Sequence, residues 1–149
     1  MFKALSLAKI AEKQGEIPVG AIIVKNSKII AEGYNKKEQK QNALFHAELE
    51  CINKASKKLG SWRLTNCTLY VTLEPCIMCM GAIINSRISE VVFGSKDLHN
   101  GACTLNLTNL KYSFKPKFFG GVLEKKCQSI LKDFFENLRK TKSIKDIKT

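Results

Sequence analysis

The sequence predicts an α/β domain in which a mostly parallel sheet is covered by helices on both faces. Three observations carry this. Segments with strand character alternate with segments of helical period, in the order α-β-β-α-β-α-β-(β)-α. The first strand, Pro18 to Val24, is apolar on both faces, as a strand is when helices cover the sheet from both sides. The chain has 149 residues, 44% of them hydrophobic, with nine Gly and three Pro. That suits one packed domain over 1–149 and excludes a disordered or fibrous chain.

The elements follow in order. Met1 to about Gln14 sets Phe2, Leu5, Ala8, Ile10 and Ala11 between lysines, an amphipathic helix ended by Gly15. After the strand at Pro18–Val24, Asn26-Ser27 supplies turn chemistry and Ile29-Ile30-Ala31 begins a second strand, which predicts a hairpin. A polar stretch, Asn35 to Asn42, interrupts. Leu49, Ile52, Ala55 and Leu59 then recur at helical spacing up to Gly60. Thr68 to Thr72 is a third strand, β-branched and aromatic. Pro75 starts a helix running to about Asn85, and Val91-Val92-Phe93 is a fourth strand ended by Gly94. Residues 95–118 read as an irregular surface loop, with Phe118-Phe119 as a short last strand. Leu123 to Lys142 closes the chain as a helix, and 141–149 as a frayed basic tail.

The formal charge is +12, from 25 Lys+Arg against 13 Asp+Glu, and residues 111–149 alone carry +7. Such a charge asks for an anionic partner, nucleic acid first. Only Arg63, Arg87 and Arg139 are Arg, however, and a Lys skew also follows from an A+T-rich genome, so part of the charge reads as solvated decoration. No apolar run reaches the ~18 residues of a spanning helix, and the N-terminus lacks a secretory apolar core. No membrane partner and a cytoplasmic location are therefore expected. The six cysteines are then not a disulfide framework. Cys51, Cys67, Cys103 and Cys127 read as small apolar fillers, with Cys103 a loop thiol.

The chemistry concentrates at two predicted helix starts. One imidazole, His46, and two thiolates, Cys76 and Cys79, supply three of the four ligands of a tetrahedral zinc, and a catalytic zinc leaves the fourth position to water. Cys76 and Cys79 share a helix face at i, i+3, where the helix N-terminus favours the thiolate. His46 and Glu48, at i and i+2, lie about 200° apart on a regular helix. They meet at one site only if it lies at the helix end, where Glu48 is a general acid/base beside the metal rather than a ligand. Such a site belongs at the carboxyl edge of the sheet. A Cys-x-x-Cys redox pair is a weaker reading, because Ile77 and Met78 intervene without a resolving context. A closed structural zinc would need a fourth ligand, for which His99, Cys103, Cys67 and Cys51 are available.

His46-x-Glu48 with Pro75-Cys76-x-x-Cys79 resembles the cytidine deaminase superfamily. Glu16-Ile17-Pro18-Val19-Gly20-Ala21, Gly33-Tyr34-Asn35, Leu69 to Cys76, Met78-Cys79, Gly81-Ala82, Ser86-Arg87-Ile88, Val91 to Gly94 and Asp133-Phe134-Phe135 are similar to its bacterial tRNA adenosine deaminases. The likeness spans about residues 3–140 in one frame. It implies a three-layer α-β-α fold with a five-stranded mixed sheet, a homodimer and one zinc ion per subunit. The implied activity is deamination of adenosine to inosine at the wobble position of a tRNA, an arginine tRNA, held by its anticodon stem-loop. His46, Cys76 and Cys79 would hold the zinc, and Glu48 would carry protons from water to ring N1 and to the departing ammonia. Asn35 would hydrogen-bond the flipped base, Ile17 would line the pocket, the backbone around Pro75 would face the zinc water, and Asp97 would lie near the ribose. The chain departs from the family at Phe45 and in the less basic Glu136-Asn137-Leu138 stretch.

Two other readings remain at this level. A deaminase of free bases or nucleosides, such as guanine or cytosine, shares the motif but needs no basic surface. A non-catalytic zinc-stabilised RNA-binding module has no use for Glu48.

Overall fold

Helix α1 (Phe2–Lys13) buries Ala4, Leu5, Leu7, Ala8 and Ala11 and stops before Gly15, whose φ of +77° favours a residue without a side chain. The computed structural model describes residues 1–146, and the side chains of residues 1–141. Strands β1 (Gly20–Lys25) and β2 (Lys28–Tyr34) form the expected hairpin, with Lys25 opposite Lys28. Its two turn residues, Asn26 and Ser27, both have positive φ (49° and 60°), the backbone that matches the twist of a two-residue hairpin. The polar stretch forms one helical turn, α2 (Lys37–Lys40). Helix α3 (Ala47–Leu59) buries Ala47, Cys51 and Ala55 and ends at Gly60 in the left-handed region. Strand β3 (Cys67–Leu73), helix α4 (Ile77–Asn85), strands β4 (Glu90–Ser95) and β5 (Lys117–Phe119), and helix α5 (Glu124–Asp146) complete the order.

The sheet order is β2-β1-β3-β4-β5. β1 runs antiparallel to both β2 and β3, while β3, β4 and β5 are mutually parallel neighbours. Four strands thus share one direction and β1 alone opposes them, which makes the five-stranded sheet mixed. One consequence governs the rest of the molecule. The carboxyl ends of β2, β3 and β4 and the amino end of the reversed β1 all open on the same edge. Asn35, the Glu74–Cys76 turn, Asp97 and Ile17 leave the sheet there.

Side chains alternate across the sheet. Ala21, Ile23, Leu69, Val71 and Val91 pack with Ala47, Cys51 and Ala55 of α3 and Ile83 of α4. On the opposite face α1 and α5 meet through Leu5, Ala8, Cys127 and Ile130. Gly20 and Gly94 face that layer. A Cβ at Gly20 would strike the Ala4 carbonyl, and one at Gly94 would strike the Cys127 sulfur, so both helices sit directly on the sheet backbone. Burial of each large aliphatic side chain contributes about 1.5–3 kcal/mol.

Three expectations change. Helix α4 begins at Ile77 with Cys76 as its N-cap, so Pro75 precedes the helix instead of opening it. The N-cap is extended (ψ 173°), which is also the backbone that lets Cys76 turn its sulfur back over the helix end. Residues 95–118 are packed in part. Ala102 is fully buried and joins Met80 and Ile84, with Phe114 and Phe118 against them. Helix α5 continues to Asp146, past Lys142, so 141–146 is helical; the remainder of the frayed tail, 147–149, lies outside the described residues. Among the described residues no helix is long and apolar enough to cross a membrane.

Candidate metal centre and its cleft

Two helix N-termini point at one place. His46 is the N-cap of α3, and its extended backbone (φ −80°, ψ 153°) frees the ring from the helical direction that would carry it away from Glu48. Cys76 is the N-cap of α4, and Cys79 lies three residues on, in its first turn. His46 Nδ1 stands 3.5 Å from Cys79 Sγ and 3.8 Å from Cys76 Sγ. Tetrahedral bonds of the usual zinc–sulfur and zinc–nitrogen lengths place such donors about 3.6 Å apart. The donor set, one imidazole and two thiolates, is also the kind that selects zinc. Among the described residues these three make up the group whose donor atoms converge, so none of His99, Cys103, Cys67 and Cys51 closes the site as a fourth ligand.

The two thiols, the imidazole and the nearby carboxylate perturb one another. The Cys79 thiol and then the His46 ring hydrogen-bond to Cys76 and pull its thiol down to about 4, while Cys79 is pushed far up by Cys76 and by burial. Zinc binding would take both sulfurs as thiolates, with release of any proton they hold. Glu48, on the first turn of α3, is 4% exposed, and its Oε2 is the single buried side-chain oxygen or nitrogen without a hydrogen-bond partner among the described residues. Burial pushes its carboxyl up from the ordinary carboxylate range. A buried carboxylate oxygen without a partner is costly, and it fits a group whose partner is water or substrate.

His46, Glu48 and Cys76 line a cleft of about 550 Å³ at the carboxyl edge of the sheet, together with Ile17, Asn35, Leu73, Glu74 and Asp97, and Cys79 is buried outside the lining. Asn35 is buried, and its Oδ1 accepts the Ala47 N–H at 3.1 Å, which anchors the start of α3. Ile17 stays 38% exposed at the rim. Asp97 Oδ1 accepts the N–H groups of His99 and Asn100, both at 3.0 Å, so one of its oxygens shapes its own turn. Pro75 is fully buried and outside the lining, and its carbonyl accepts the Ala102 N–H at 2.9 Å. Phe45 does not line the cleft either. Phe134 and Phe135 make an edge-to-face pair with centroids 5.4 Å apart, Phe134 half-buried and Phe135 exposed.

Sequence reasoning missed two structural carboxylates at this edge. Glu16, 1% exposed, accepts the Glu38 and Gln39 N–H groups at 3.1 and 2.7 Å and so fixes the α2 turn beside the cleft. Glu74, 2% exposed, holds the opposite wall. Both stood in the quoted motifs, but nothing local in a sequence tells which distant backbone a carboxylate will meet.

The likeness to known proteins agrees with this geometry. Residues 1–139 match the family described as MafB19-like deaminase. The chain is 46% identical over 146 residues to a protein named tRNA-specific adenosine deaminase from Bacillus subtilis, covering 95% of this chain and 90% of that protein. It is 42% identical over 144 residues to one of the same name from Rickettsia bellii, covering 93% and 99%. A solved structure from studies of A-to-I editing by tRNA:A34 deaminases at the wobble position of transfer RNA superposes with a TM-score of 0.85 at 34% identity. It covers 88% of this chain and 97% of that one. The chain belongs to this deaminase family, within the branch of the tRNA-specific adenosine deaminases.

Proposed function

We propose that the protein deaminates adenosine to inosine at the first anticodon position of a tRNA, with a zinc ion held by His46, Cys76 and Cys79 and with Glu48 as the proton carrier. The observation that carries this is the converging imidazole and two sulfurs beside a buried carboxylate with an unpartnered oxygen. When bound, zinc supplies Lewis acidity that brings the pKa of a water toward about 7, less so where two thiolates offset its charge. Glu48 accepts the water's proton and passes it to ring N1 as oxygen adds at C6; it then takes the proton of the new C6 hydroxyl and delivers it to the amino nitrogen, which leaves as ammonia. Its burial suits the task, because a carboxyl raised above its ordinary value takes up a proton more readily than an exposed one. Asn35 has its oxygen committed to Ala47, so its Nδ2 is the group available to donate to an acceptor on the base edge. Ile17 packs against the base at the rim, and the second oxygen of Asp97 takes the ribose hydroxyl. Pro75 acts through its backbone, by holding the turn before Cys76.

The same reading carries a homodimer with one zinc per subunit, a cytoplasmic location and an arginine tRNA as substrate. Purified protein is assayed for bound metal and incubated with an anticodon stem-loop that has adenosine at the wobble position, and the product is sequenced for inosine. One zinc per chain and inosine at that position are expected. Activity on free adenosine or guanine but not on the RNA overturns the RNA reading, and zinc without any deamination leaves a binding module.

A further inference from the structure

We infer that Glu74 is a positioning residue. Its buried carboxylate ties the 97–104 wall of the cleft to the turn that presents Cys76, and through that wall it sets substrate affinity rather than the rate of the chemical step. The inference rests on the deaminase reading for what the cleft binds.

The contacts are specific. Glu74 Oε2 accepts the Asp97 N–H at 3.1 Å and the Thr104 hydroxyl at 2.8 Å, and Oε1 accepts the Thr104 N–H at 2.7 Å. No Lys or Arg pairs with it among the described residues, so its charge is balanced by these donors alone. The segment is drawn in closely. A Cβ at Gly101 would strike the Glu74 carboxyl group, Gly101 bridges to Cys76, and the Ala102 N–H reaches the Pro75 carbonyl. Asp97, Asn100 and Leu105, which face the cleft, all hang from this segment. Of the proposed metal ligands Cys76 touches it, through the Gly101 bridge, but Cys76 is also fixed as the N-cap of α4, while His46 is set by α3 and Cys79 by α4. Loosening the wall therefore moves substrate contacts and leaves the metal group in place.

An amide cannot replace the carboxylate. Gln at 74 has one acceptor oxygen and one NH2. With the oxygen in the Oε2 place, the NH2 faces the Thr104 N–H; turned over, it faces the Asp97 N–H. Either way a backbone donor is orphaned. Hydrogen bonds to charged groups are strong enough that losing one corresponds to about tenfold to a hundredfold in an equilibrium.

The test uses the full-length zinc-loaded protein as wild type, Glu74→Gln, Thr104→Val and Thr104→Ser. Steady-state kinetics on the stem-loop give kcat and KM, metal analysis gives zinc per chain, and residue-resolved amide exchange follows Asp97 and Thr104. For Glu74→Gln, KM rises about tenfold or more, kcat stays within about threefold, zinc is retained, and the two amides exchange faster. Thr104→Val shifts KM in the same direction, and Thr104→Ser, which keeps the hydroxyl donor, returns it toward wild type. Should Glu74→Gln not fold, the Thr104 pair decides the matter. A fall in kcat at unchanged KM, or wild-type exchange at both amides, overturns the proposal. A wild-type protein inactive on RNA defeats the deaminase reading instead, while amide exchange still decides whether Glu74 holds the wall.

Discussion

Replacing Glu48 by Gln removes the proton carrier proposed above and little else. Gln has nearly the same volume, so the substitution opens no cavity at a site that is 4% exposed. The Oε2 position makes no hydrogen bond with the protein, so none is broken there. Burial of an unpartnered carboxylate is unfavourable, and a neutral amide relieves that charge, so the melting temperature is expected not to fall. The chemical step should fall about 10²–10⁴-fold, the usual contribution of a positioned acid/base, or about 2.7–5.4 kcal/mol of barrier at 1.36 kcal/mol per tenfold. The assay is single-turnover inosine formation on the stem-loop with enzyme in excess, alongside zinc content and RNA affinity, both expected unchanged. A rate within threefold of wild type refutes the role of Glu48. Loss of zinc from this variant refutes it differently, by making Glu48 a ligand.

Dialysis against a chelator should abolish deamination and added zinc should restore it, while Cys79→Ala should neither hold zinc nor respond to it; metal content read beside activity checks both. Burial alone would raise the Glu50 carboxyl, but Lys36 at 2.6 Å, Lys54 at 2.8 Å and the Tyr34 N–H overcome it and hold the group below its ordinary 4.5. A folded value below the unfolded one means that the stabilisation is present above about pH 4.5 and is lost as pH falls through the folded value. Glu50→Gln should cost about 1–2 kcal/mol at neutral pH and flatten this acid limb, as urea melts at pH 7 and pH 3 would show. Gly20→Ala places a methyl against the Ala4 carbonyl and should destabilise by about 3 kcal/mol through displacement of α1, with the urea m-value unchanged.

The elements legible in the sequence are those with local causes. Helix α3 shows its period and its Gly60 stop, the hairpin shows Asn26-Ser27, and the fifth strand shows Phe118-Phe119 before two glycines. The place of β1 between β2 and β3 has no local signature, because strand order is decided by which apolar faces α1 and α3 cover. The packing of 95–118 was hidden for a similar reason: Ala102, Phe114 and Phe118 follow no period and meet α4 only in three dimensions. In the site, the metal group was legible because its spacing is a chemical requirement. Glu16 and Glu74 act on backbone groups 22 to 30 residues away, a distance at which residue type carries no direction.

The net charge of +12 finds its place in this geometry. The cleft does not share it: Glu16, Glu38, Glu48, Glu74 and Asp97 line it against Lys37. The carboxylates of Glu16 and Glu74 are held by backbone N–H groups and Lys37 is the one lysine of the lining, so the cleft lacks the excess of lysines that the sequence carries over residues 111–149. For the RNA substrate proposed above, the phosphates are better matched by the lysine-rich segments of the chain than by the cleft, whose lining holds a single lysine. On that reading the polyanionic backbone stays on the basic exterior while the neutral base and ribose enter the cleft. Lysines outside the cleft act on affinity and on its salt dependence, through counterion release. In the proposed mechanism the chemical step depends on His46, Glu48, Cys76 and Cys79, which screening by salt barely reaches because they are buried or half-buried. Raising the ionic strength should therefore weaken binding steeply and leave the single-turnover rate at saturating enzyme nearly constant, a separation that charge composition alone gives no reason to expect.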